Sequence, residues 1–253
     1  IFFYLPTQIN MKSLLRTLLQ SFCRNVPIRG RHRLANTVGK WLAPAEPQLF
    51  SIHGMEILLD HQITTCRYMY YGMYEEENLA FLKTIIRQSD VVVEPGANIG
   101  YMTAHLAGMV GPEGKVYAME PSRNCPKQLK ESVAGANLPQ IELLPIALAD
   151  QPAQLVFNDT PRAITKGYAT LDVVDRPVDS KGVEVEATSI DHFCKSRGIA
   201  TVRFLKLDIE GAELLALQGS QEMLSQGKID YLLVETTLTP KHKTNNEKII
   251  ALL

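Results

Sequence analysis

The sequence predicts an α/β protein with a Rossmann-like fold, in which a mostly parallel sheet carries helices on both faces. From Val91 onward, short apolar runs of strand length alternate with stretches of helical periodicity, as parallel strands joined by crossover helices require. The first apolar run also ends in a glycine-containing turn followed by a helix. Five buried strands are therefore predicted, over residues 91–94, 115–119, 141–144, 203–208 and 230–235.

An insertion is predicted between the third and fourth of these strands. Residues 154–157 and 183–187 alternate apolar and polar side chains, which is typical of antiparallel ribbon strands rather than of buried parallel ones. The polar segment between them, 159–181, is expected to form a flexible flap over the site.

The N-terminal region, residues 1–75, lacks this alternation and predicts a helical or irregular extension before a catalytic domain over residues 76–253. Met11 is a plausible start, so the first ten residues are expected to be an added extension. Segment 13–23 has the pattern of an amphipathic helix and predicts a surface or docking helix. The aromatic residues of 68–74 fit either core packing or the wall of an acceptor pocket.

Composition excludes several functional classes. The chain has 253 residues, 45% hydrophobic and 21% charged, which is ordinary for a folded protein. Its net charge of -1 gives no overall attraction to a nucleic acid or to an acidic membrane, so a non-specific nucleic-acid binder is not expected. The four cysteines form no C-x-x-C pair, which favours free thiols in the reducing cytoplasm. No apolar segment reaches the roughly 20 residues of a transmembrane helix.

The turn after the first strand, Glu94-Pro95-Gly96-Ala97-Asn98-Ile99-Gly100, is the first candidate binding element. Glycine has no Cβ and tolerates positive φ, so backbone N–H groups of such a turn can approach a ligand closely. The same turn also occurs where a helix merely packs on a sheet. The second predicted strand ends in Glu120, twenty residues after Gly100, where a carboxylate can accept hydrogen bonds from ribose hydroxyls.

The turn also indicates which nucleotide is bound. A dinucleotide fingerprint needs three glycines in G-x-G-x-x-G, and here Asn98 replaces the middle one, which disfavours an NAD-dependent oxidoreductase. Glu94 would repel a pyrophosphate but suits an ammonium or a sulfonium group. These features favour S-adenosylmethionine, which carries a free amine and a positively charged sulfur.

The third element is Leu205-Lys206-Leu207-Asp208, a strand that stops at a cluster of acidic residues. Ligands of open α/β sheets bind beyond the carboxyl ends of the strands, so Asp208 should face the same crevice as Glu94 and Glu120. Asp208 is the candidate general base for a hydroxyl acceptor. Lys206 lies on the same face of the strand, where it either tunes Asp208 or the acceptor hydroxyl, or simply pairs with a carboxylate.

A bound metal is not expected at this third element. Glu210 and Glu213 follow Asp208, and hard cations prefer such oxygen ligands, but no histidine joins the three acids in sequence. A simpler interpretation of Glu213 is that it complements the dipole of the next helix.

Several motifs together resemble the FkbM-type S-adenosylmethionine-dependent methyltransferases. They are E-P-G-A-N-I-G-Y from Glu94, Glu120-Pro121, A-L-A-D over 147–150, T-S-I-D over 188–191 and, most distinctively, L-K-L-D-I-E-G-A-E from Leu205. The resemblance implies a class I methyltransferase fold, S-adenosylmethionine as cofactor, and O-methylation of a hydroxyl on a sugar or natural product. It implies cofactor contacts at Glu94, Pro95, Gly96, Ala97, Asn98, Gly100, Tyr101, Glu120, Pro121, Ala147 and Asp208.

Two departures from the family pattern qualify this resemblance. The family usually has Asp at position 94 and an aliphatic residue at position 95, where this sequence has Glu and Pro. Class I methyltransferases also complete their sheet with a sixth and a seventh strand, and the sequence predicts neither, so the C-terminal edge is expected to be incomplete. The alternative function is a non-catalytic Rossmann-like scaffold or binding module. The acceptor, a small molecule or glycan, and the oligomeric state are not specified by the sequence.

Overall fold

The structure is a computed structural model that describes residues 11–122, 126–157, 183–209, 211–236 and 243–253. The predicted flap over 159–181, Glu210, Cys125 and the first ten residues lie outside the described residues. The chain divides into two compact units. Unit 1 comprises residues 1–51 and 57–84, and unit 2 comprises residues 52–56 and 85–253.

Helices make up most of residues 11–85. They are α1 (Met11–Asn25), α2 (Arg31–Leu34), α3 (Lys40–Leu42), α4 (Thr64–Tyr71) and α5 (Glu76–Ile85), with a π-helical turn over Ala35–Gly39 between α2 and α3. α1 contains the predicted amphipathic segment. α5 begins with two acidic residues, Glu76 and Glu77, which favour the positive end of the helix dipole.

The core of unit 1 contains part of the aromatic run. Tyr71 is fully buried in a cluster with Leu19 and Cys23 of α1, and Tyr68 and Tyr70 pack against it. Burial raises the pKa of the Tyr71 hydroxyl to about 12, so this group stays neutral. Of the two interpretations of the aromatic run, the structure supports core packing for these three tyrosines.

A β-hairpin not predicted from the sequence follows α3. Strands β1 (Gln48–Ile52) and β2 (Met55–Leu59) form a two-stranded sheet. The turn between them is His53-Gly54, with φ of 47° and 89°, because two-residue hairpin turns require positive φ. β2 alternates buried and exposed residues, which is the pattern of a half-buried strand.

Unit 2 contains the predicted sheet. Its strands lie in the order β10 (Ile229–Val234), β9 (Val202–Leu207), β3 (Val91–Pro95), β4 (Lys115–Met119) and β5 (Ile141–Leu144), and each neighbouring pair is parallel. The helices are α6 (Tyr101–Val110), α7 (Pro126–Ala136), α8 (Ile190–Arg197), α9 (Glu213–Gln218), α10 (Gln221–Ser225) and α11 (Lys243–Leu252). All five predicted strands are present within one residue of their expected ends, which confirms the α/β Rossmann-like fold class.

Both faces of this sheet are buried, as a parallel sheet requires. Val93, Leu205 and Met119 belong to one hydrophobic cluster, together with residues of α8, α9 and α10. The alternate positions Val92 and Phe204 point to the opposite face and are also buried. Glu94 follows Val92 by two residues and Lys206 follows Phe204 by two, so these two charged side chains share that opposite face.

The predicted insertion forms a separate three-stranded sheet in the order β6 (Ala147–Leu148), β8 (Val183–Thr188) and β7 (Ala153–Phe157). β7 and β8 are antiparallel, as the alternating pattern predicted. In the described part of the chain, no helix is both long enough and apolar enough to cross a membrane.

Candidate functional site

The ends of three neighbouring strands meet at the glycine turn. The N–H groups of Gly96 and Ala97 both donate to the carbonyl oxygen of Met119, at 2.9 and 3.1 Å, and so tie the turn to the end of β4. Gly96 also lies against the end of β9, since a Cβ added to it would stand 1.9 Å from the backbone oxygen of Asp208. Its φ of +79° is a conformation that glycine adopts most readily. The turn therefore requires glycine here for both space and backbone conformation.

Replacing Gly96 by alanine is expected to lower the free energy of unfolding by about 3 kcal/mol or more, because the new methyl group collides with rigid backbone. A matched control is Gly198→Ala, since Gly198 has a similar φ of +66° but no atom within 4 Å of an added Cβ. The control should lose only about 1 kcal/mol, the cost of the positive φ alone. Urea denaturation of both variants measures the difference, and equal losses would contradict the close approach to Asp208.

Glu120 anchors the far side of the turn. One carboxylate oxygen accepts a hydrogen bond from the backbone N–H of Asn98 at 2.9 Å, and the other accepts from the N–H of Ser122 at 2.9 Å. Asn98 has a φ of 53°, which is uncommon for a residue with a side chain. A carboxylate oxygen can accept more than one hydrogen bond, so Glu120 can hold the turn and still accept from a ligand hydroxyl. This gives Glu120 a structural role that the sequence did not indicate.

Glu94 is the most unusual group of the site. Its side chain is 0% exposed, and neither carboxylate oxygen has a hydrogen-bond partner among the described residues. Burial raises the pKa of Glu94 to about 7, although the charge of Lys206 and the nearby Thr103 hydroxyl act in the opposite direction. Burying a carboxylate without a hydrogen-bond donor lowers the free energy of unfolding. A ligand that donates a hydrogen bond to Glu94 would remove this destabilisation.

Lys206 and Asp208 form an ion pair at the end of β9. The Lys206 ammonium lies 2.5 Å from a carboxylate oxygen of Asp208, and the two side chains are 6% and 21% exposed. Burial alone would raise the pKa of Asp208, but hydrogen bonding with Glu235 and the charge of Lys206 together hold that pKa below its usual value. Asp208 is therefore an ionised carboxylate at neutral pH with part of its surface open to solvent.

Glu213 closes the loop between β9 and α9. Its carboxylate accepts hydrogen bonds from the backbone N–H groups of Ile209 and Gly211, at distances of 3.0–3.1 Å. Glu213 therefore fixes the backbone that directly follows Asp208, which is more specific than the predicted interaction with the helix dipole. Its proposed neighbour Glu210 lies outside the described residues. Within the described ranges, no three acidic, cysteine or histidine side chains are grouped as a metal site.

The other predicted cofactor residues occupy different surroundings. Pro95 ends β3, and Gly100 precedes α6 with a φ of 86°. Tyr101 is the first residue of α6 and is buried against His105. Pro121 lines a cleft of about 550 Å³ together with Lys127, Lys130, Pro145 and residues 184–186. Ala147 belongs instead to the apolar cluster of the three-stranded sheet, where it pairs with Ala187.

Two residues near the site were not identified from the sequence. Thr103 lies on α6 and is buried, and its hydroxyl stands near the Glu94 carboxylate, whose pKa it lowers. Glu235 follows β10, and its N–H donates to the carbonyl oxygen of Leu207 at 2.8 Å, which places it beside Asp208. The available signal for Glu235 was its position as the acidic last residue of the strand predicted over 230–235. Nothing in the sequence marks Thr103.

Comparisons with known proteins found one matching family and several similar solved structures. The model of the methyltransferase FkbM domain matches residues 94–253. A protein from Clostridium thermocellum, provisionally described as an rRNA methylase, is 13% identical with a TM-score of 0.42, over 70% of this chain and 76% of that one. A methyltransferase FkbM from Methylobacillus flagellatus is 18% identical with a TM-score of 0.38, over 65% of this chain and 42% of that one. No curated protein matches the chain.

The parallel sheet and the glycine turn at its carboxyl edge define a Rossmann-like α/β protein of the kind that binds nucleotide-containing ligands. The matched segment makes up more than half of the sequence and begins at Glu94. The chain therefore belongs to the FkbM methyltransferase family, which confirms the resemblance found in its motifs. It spans less than half of the Methylobacillus protein, and the low identities and TM-scores specify neither an acceptor nor an activity.

Proposed function

We propose that this protein transfers a methyl group from S-adenosylmethionine to a hydroxyl oxygen of a sugar or another natural product. The observation that carries the proposal is the fully buried carboxylate of Glu94, which has no hydrogen-bond donor in the described chain and stands beside the glycine turn. A cationic amine brought by a ligand would supply a hydrogen-bond donor and a positive charge in addition to that of Lys206.

The residues present fit S-adenosylmethionine. Glu94 suits its ammonium group, and the turn over 96–100 offers a close backbone surface because Gly96 and Gly100 have positive φ. Glu120 is already oriented by two backbone N–H groups and can accept from ribose hydroxyls. Pro95, Ala97, Asn98, Tyr101, Pro121, Ala147 and Asp208 complete the proposed set. When bound, the cofactor supplies a methyl group on a positively charged sulfur.

Asp208 is the proposed general base. A hydroxyl acceptor that receives a methyl group would have to lose its proton. An ionised carboxylate within hydrogen-bond reach can then take that proton, even though the pKa of Asp208 is lowered. Lys206 holds this carboxylate in place through its ion pair, while Asp208 keeps an open side for the acceptor.

The proposed methyltransferase domain extends over residues 76–253, with residues 1–75 as an N-terminal extension. The family match over 94–253 and the sheet that begins at Val91 support the part of this extent from residue 91 onward, whereas residues 76–84 belong to unit 1. We also propose the cytoplasm as its location, because the buried cysteines Cys23, Cys66 and Cys194 are free thiols.

Thermal unfolding with S-adenosylhomocysteine tests the cofactor proposal, with NAD as the control ligand. At 100 times its Kd a ligand stabilises by about 2.7 kcal/mol, and each kcal/mol raises the Tm by about 2–4 °C at this chain length. We expect a rise of several degrees with S-adenosylhomocysteine and none with NAD. A rise with NAD alone, or no rise with either ligand, would contradict the proposal.

The alternative function is a scaffold that binds the cofactor without turnover. Transfer of a radiolabelled methyl group to a panel of sugars, polyketides and lipids distinguishes the two functions. Incorporation that is alkali-stable and requires a free hydroxyl supports O-methylation. Tight S-adenosylhomocysteine binding without incorporation into any hydroxyl compound would favour the scaffold.

A further inference from the structure

The first helix of unit 1 carries an apolar stripe that faces away from the core of the unit. Met11, Leu14, Leu15 and Leu18 are spaced so that they share one face of α1, and each is at least 40% exposed. A second stripe on the same helix, containing Leu19 and Cys23, packs into the core instead. The core therefore does not account for the exposed stripe.

Trp41 extends this apolar surface. It lies on α3 and is 64% exposed, and the Lys12 ammonium of α1 stands 5.0 Å from the centre of its ring. An exposed tryptophan next to an exposed leucine stripe is unusual, because large side chains of this kind are normally removed from water. Met11, Leu14, Leu15, Leu18 and Trp41 are referred to below as the docking surface.

The charge of the same region is strongly one-sided. Residues 1–45 contain seven basic residues, namely Lys12, Arg16, Arg24, Arg29, Arg31, Arg33 and Lys40, and no Asp or Glu. The remaining 208 residues carry 19 basic and 27 acidic residues. The net charge of -1 is therefore the sum of a positively charged N-terminal part and a negatively charged remainder. Arg29, Arg33 and Lys40 are exposed and form no salt bridge with any described residue.

We propose that unit 1 docks on the surface of an anionic lipid bilayer through the docking surface and the basic residues around it. A basic amphipathic helix with leucines on one face and a tryptophan beside it lies in the interface plane, where apolar side chains enter the acyl boundary and cations meet anionic headgroups. This interaction does not depend on the proposed methyl transfer.

Two other partners fit these observations less well. A nucleic acid or an acidic peptide would satisfy the basic residues but would leave four aliphatic side chains and a tryptophan in water. A second copy of this chain would cover the apolar stripe but would bring two strongly basic regions together. An anionic bilayer satisfies both the apolar and the charged groups.

The single tryptophan of the sequence makes the test direct, because Trp41 belongs to the docking surface. The full chain is titrated with vesicles of phosphatidylcholine containing phosphatidylserine, and the emission of Trp41 is recorded. We expect a blue shift and quenching by brominated lipid, both weakened by added salt. Vesicles of phosphatidylcholine alone should give a much smaller shift. Unchanged emission with the anionic vesicles would overturn the proposal.

Variants separate the apolar from the charged contribution. Leu14→Gln combined with Leu18→Gln keeps the charge unchanged and should weaken vesicle binding at least about tenfold, since each buried leucine contributes substantially to transfer from water. The control is Ile250→Gln combined with Leu253→Gln, which replaces two apolar residues outside unit 1 that are 73% and 67% exposed and should leave binding unchanged. Equal loss in both variants, or no loss in the variant of Leu14 and Leu18, would overturn the proposal.

The charged contribution is tested by Arg29→Ser, Arg33→Ser and Lys40→Ser in one chain. This variant should weaken binding to anionic vesicles about tenfold or more, because each cation near such a surface contributes to binding. Arg87→Ser, Lys195→Ser and Lys248→Ser remove three exposed cations of unit 2 and serve as the control. If the control weakens binding equally, attraction is not specific to unit 1.

Size-exclusion chromatography without lipid should show no dimer that the leucine variant abolishes, and such a dimer would favour the second-copy partner.

Discussion

Replacing Asp208 by Asn is expected to lower kcat about 10²–10⁴-fold at saturating cofactor. Asparagine keeps the shape of the side chain and can still accept from the Lys206 ammonium, which now lies 2.5 Å from the carboxylate. It cannot take a proton from the acceptor hydroxyl at neutral pH, because an amide is not a base in this range. The measurement is single-turnover methyl transfer to the acceptor that the panel identifies.

The control for this prediction is Asp150→Asn, an exposed aspartate that follows β6. Its kcat should match that of the unmodified chain. Binding of S-adenosylhomocysteine to the Asp208→Asn variant is measured separately, so that a loss of cofactor affinity is not mistaken for a loss of turnover. Undiminished kcat in a variant that still binds the cofactor would show that Asp208 is not the general base.

Replacing Glu94 by Gln is expected to have opposite effects on stability and on cofactor binding. In the unfolded chain Glu94 has a pKa near 4.5, and burial raises its pKa in the folded chain to about 7. The folded protein therefore binds this proton more tightly than the unfolded chain does. As the pH rises from about 4.5 to about 7, the free energy of unfolding falls by about 3 kcal/mol because of this one group.

Glutamine stays neutral, so the unliganded Glu94→Gln protein should be more stable than the unmodified chain at pH 8 and should approach it near pH 5. Urea denaturation at pH 5, 6.5 and 8 measures this trend. The same change removes the negative charge proposed to bind the amine, so the Kd for S-adenosylhomocysteine should rise about 10–100-fold. Isothermal titration calorimetry measures the Kd.

Glu113→Gln provides the control. Glu113 is exposed, and its replacement changes the formal charge by the same amount as Glu94→Gln does. It should alter neither the pH dependence of stability nor the Kd. If Glu94→Gln gave a stability profile parallel to that of the unmodified chain, the carboxylate would not be desolvated in solution. If its Kd were unchanged, Glu94 would not bind the amine.

The regular part of the fold was accessible from the sequence because its signals are local. Residues 91–93 are consecutive valines, and residues 204, 205 and 207 are apolar, as is typical of strands in a sheet that is buried on both faces. The structure places both strands in the interior of the sheet. The hairpin over β1 and β2 was missed. Its turn, His53-Gly54, lacks the Asn or Asp that usually marks such a turn, although the alternation in β2 was present.

The candidate site was only partly accessible. The amino-acid sequence shows that Glu94, Glu120 and Asp208 lie at the ends of predicted strands. Which of these ends are neighbours depends on the order of the strands in the sheet. In this sheet β3 lies between β4 and β9, so the turn hydrogen-bonds to Met119 and Glu120 and packs against Asp208. Glu235 is placed beside Asp208 only because β10 is the next strand along.

The sequence by itself determined the alternation of strands and helices, the glycine turn, the acidic residues at the strand ends and the membership of the FkbM family, because each is carried by consecutive residues. The tertiary structure alone decided which of these groups lack a partner. Whether Glu94 is solvated or fully buried without a donor, and whether the leucines of α1 face the core or the solvent, depends on residues distant in the chain. Desolvation and burial are properties of the packed molecule, so no local pattern specifies them.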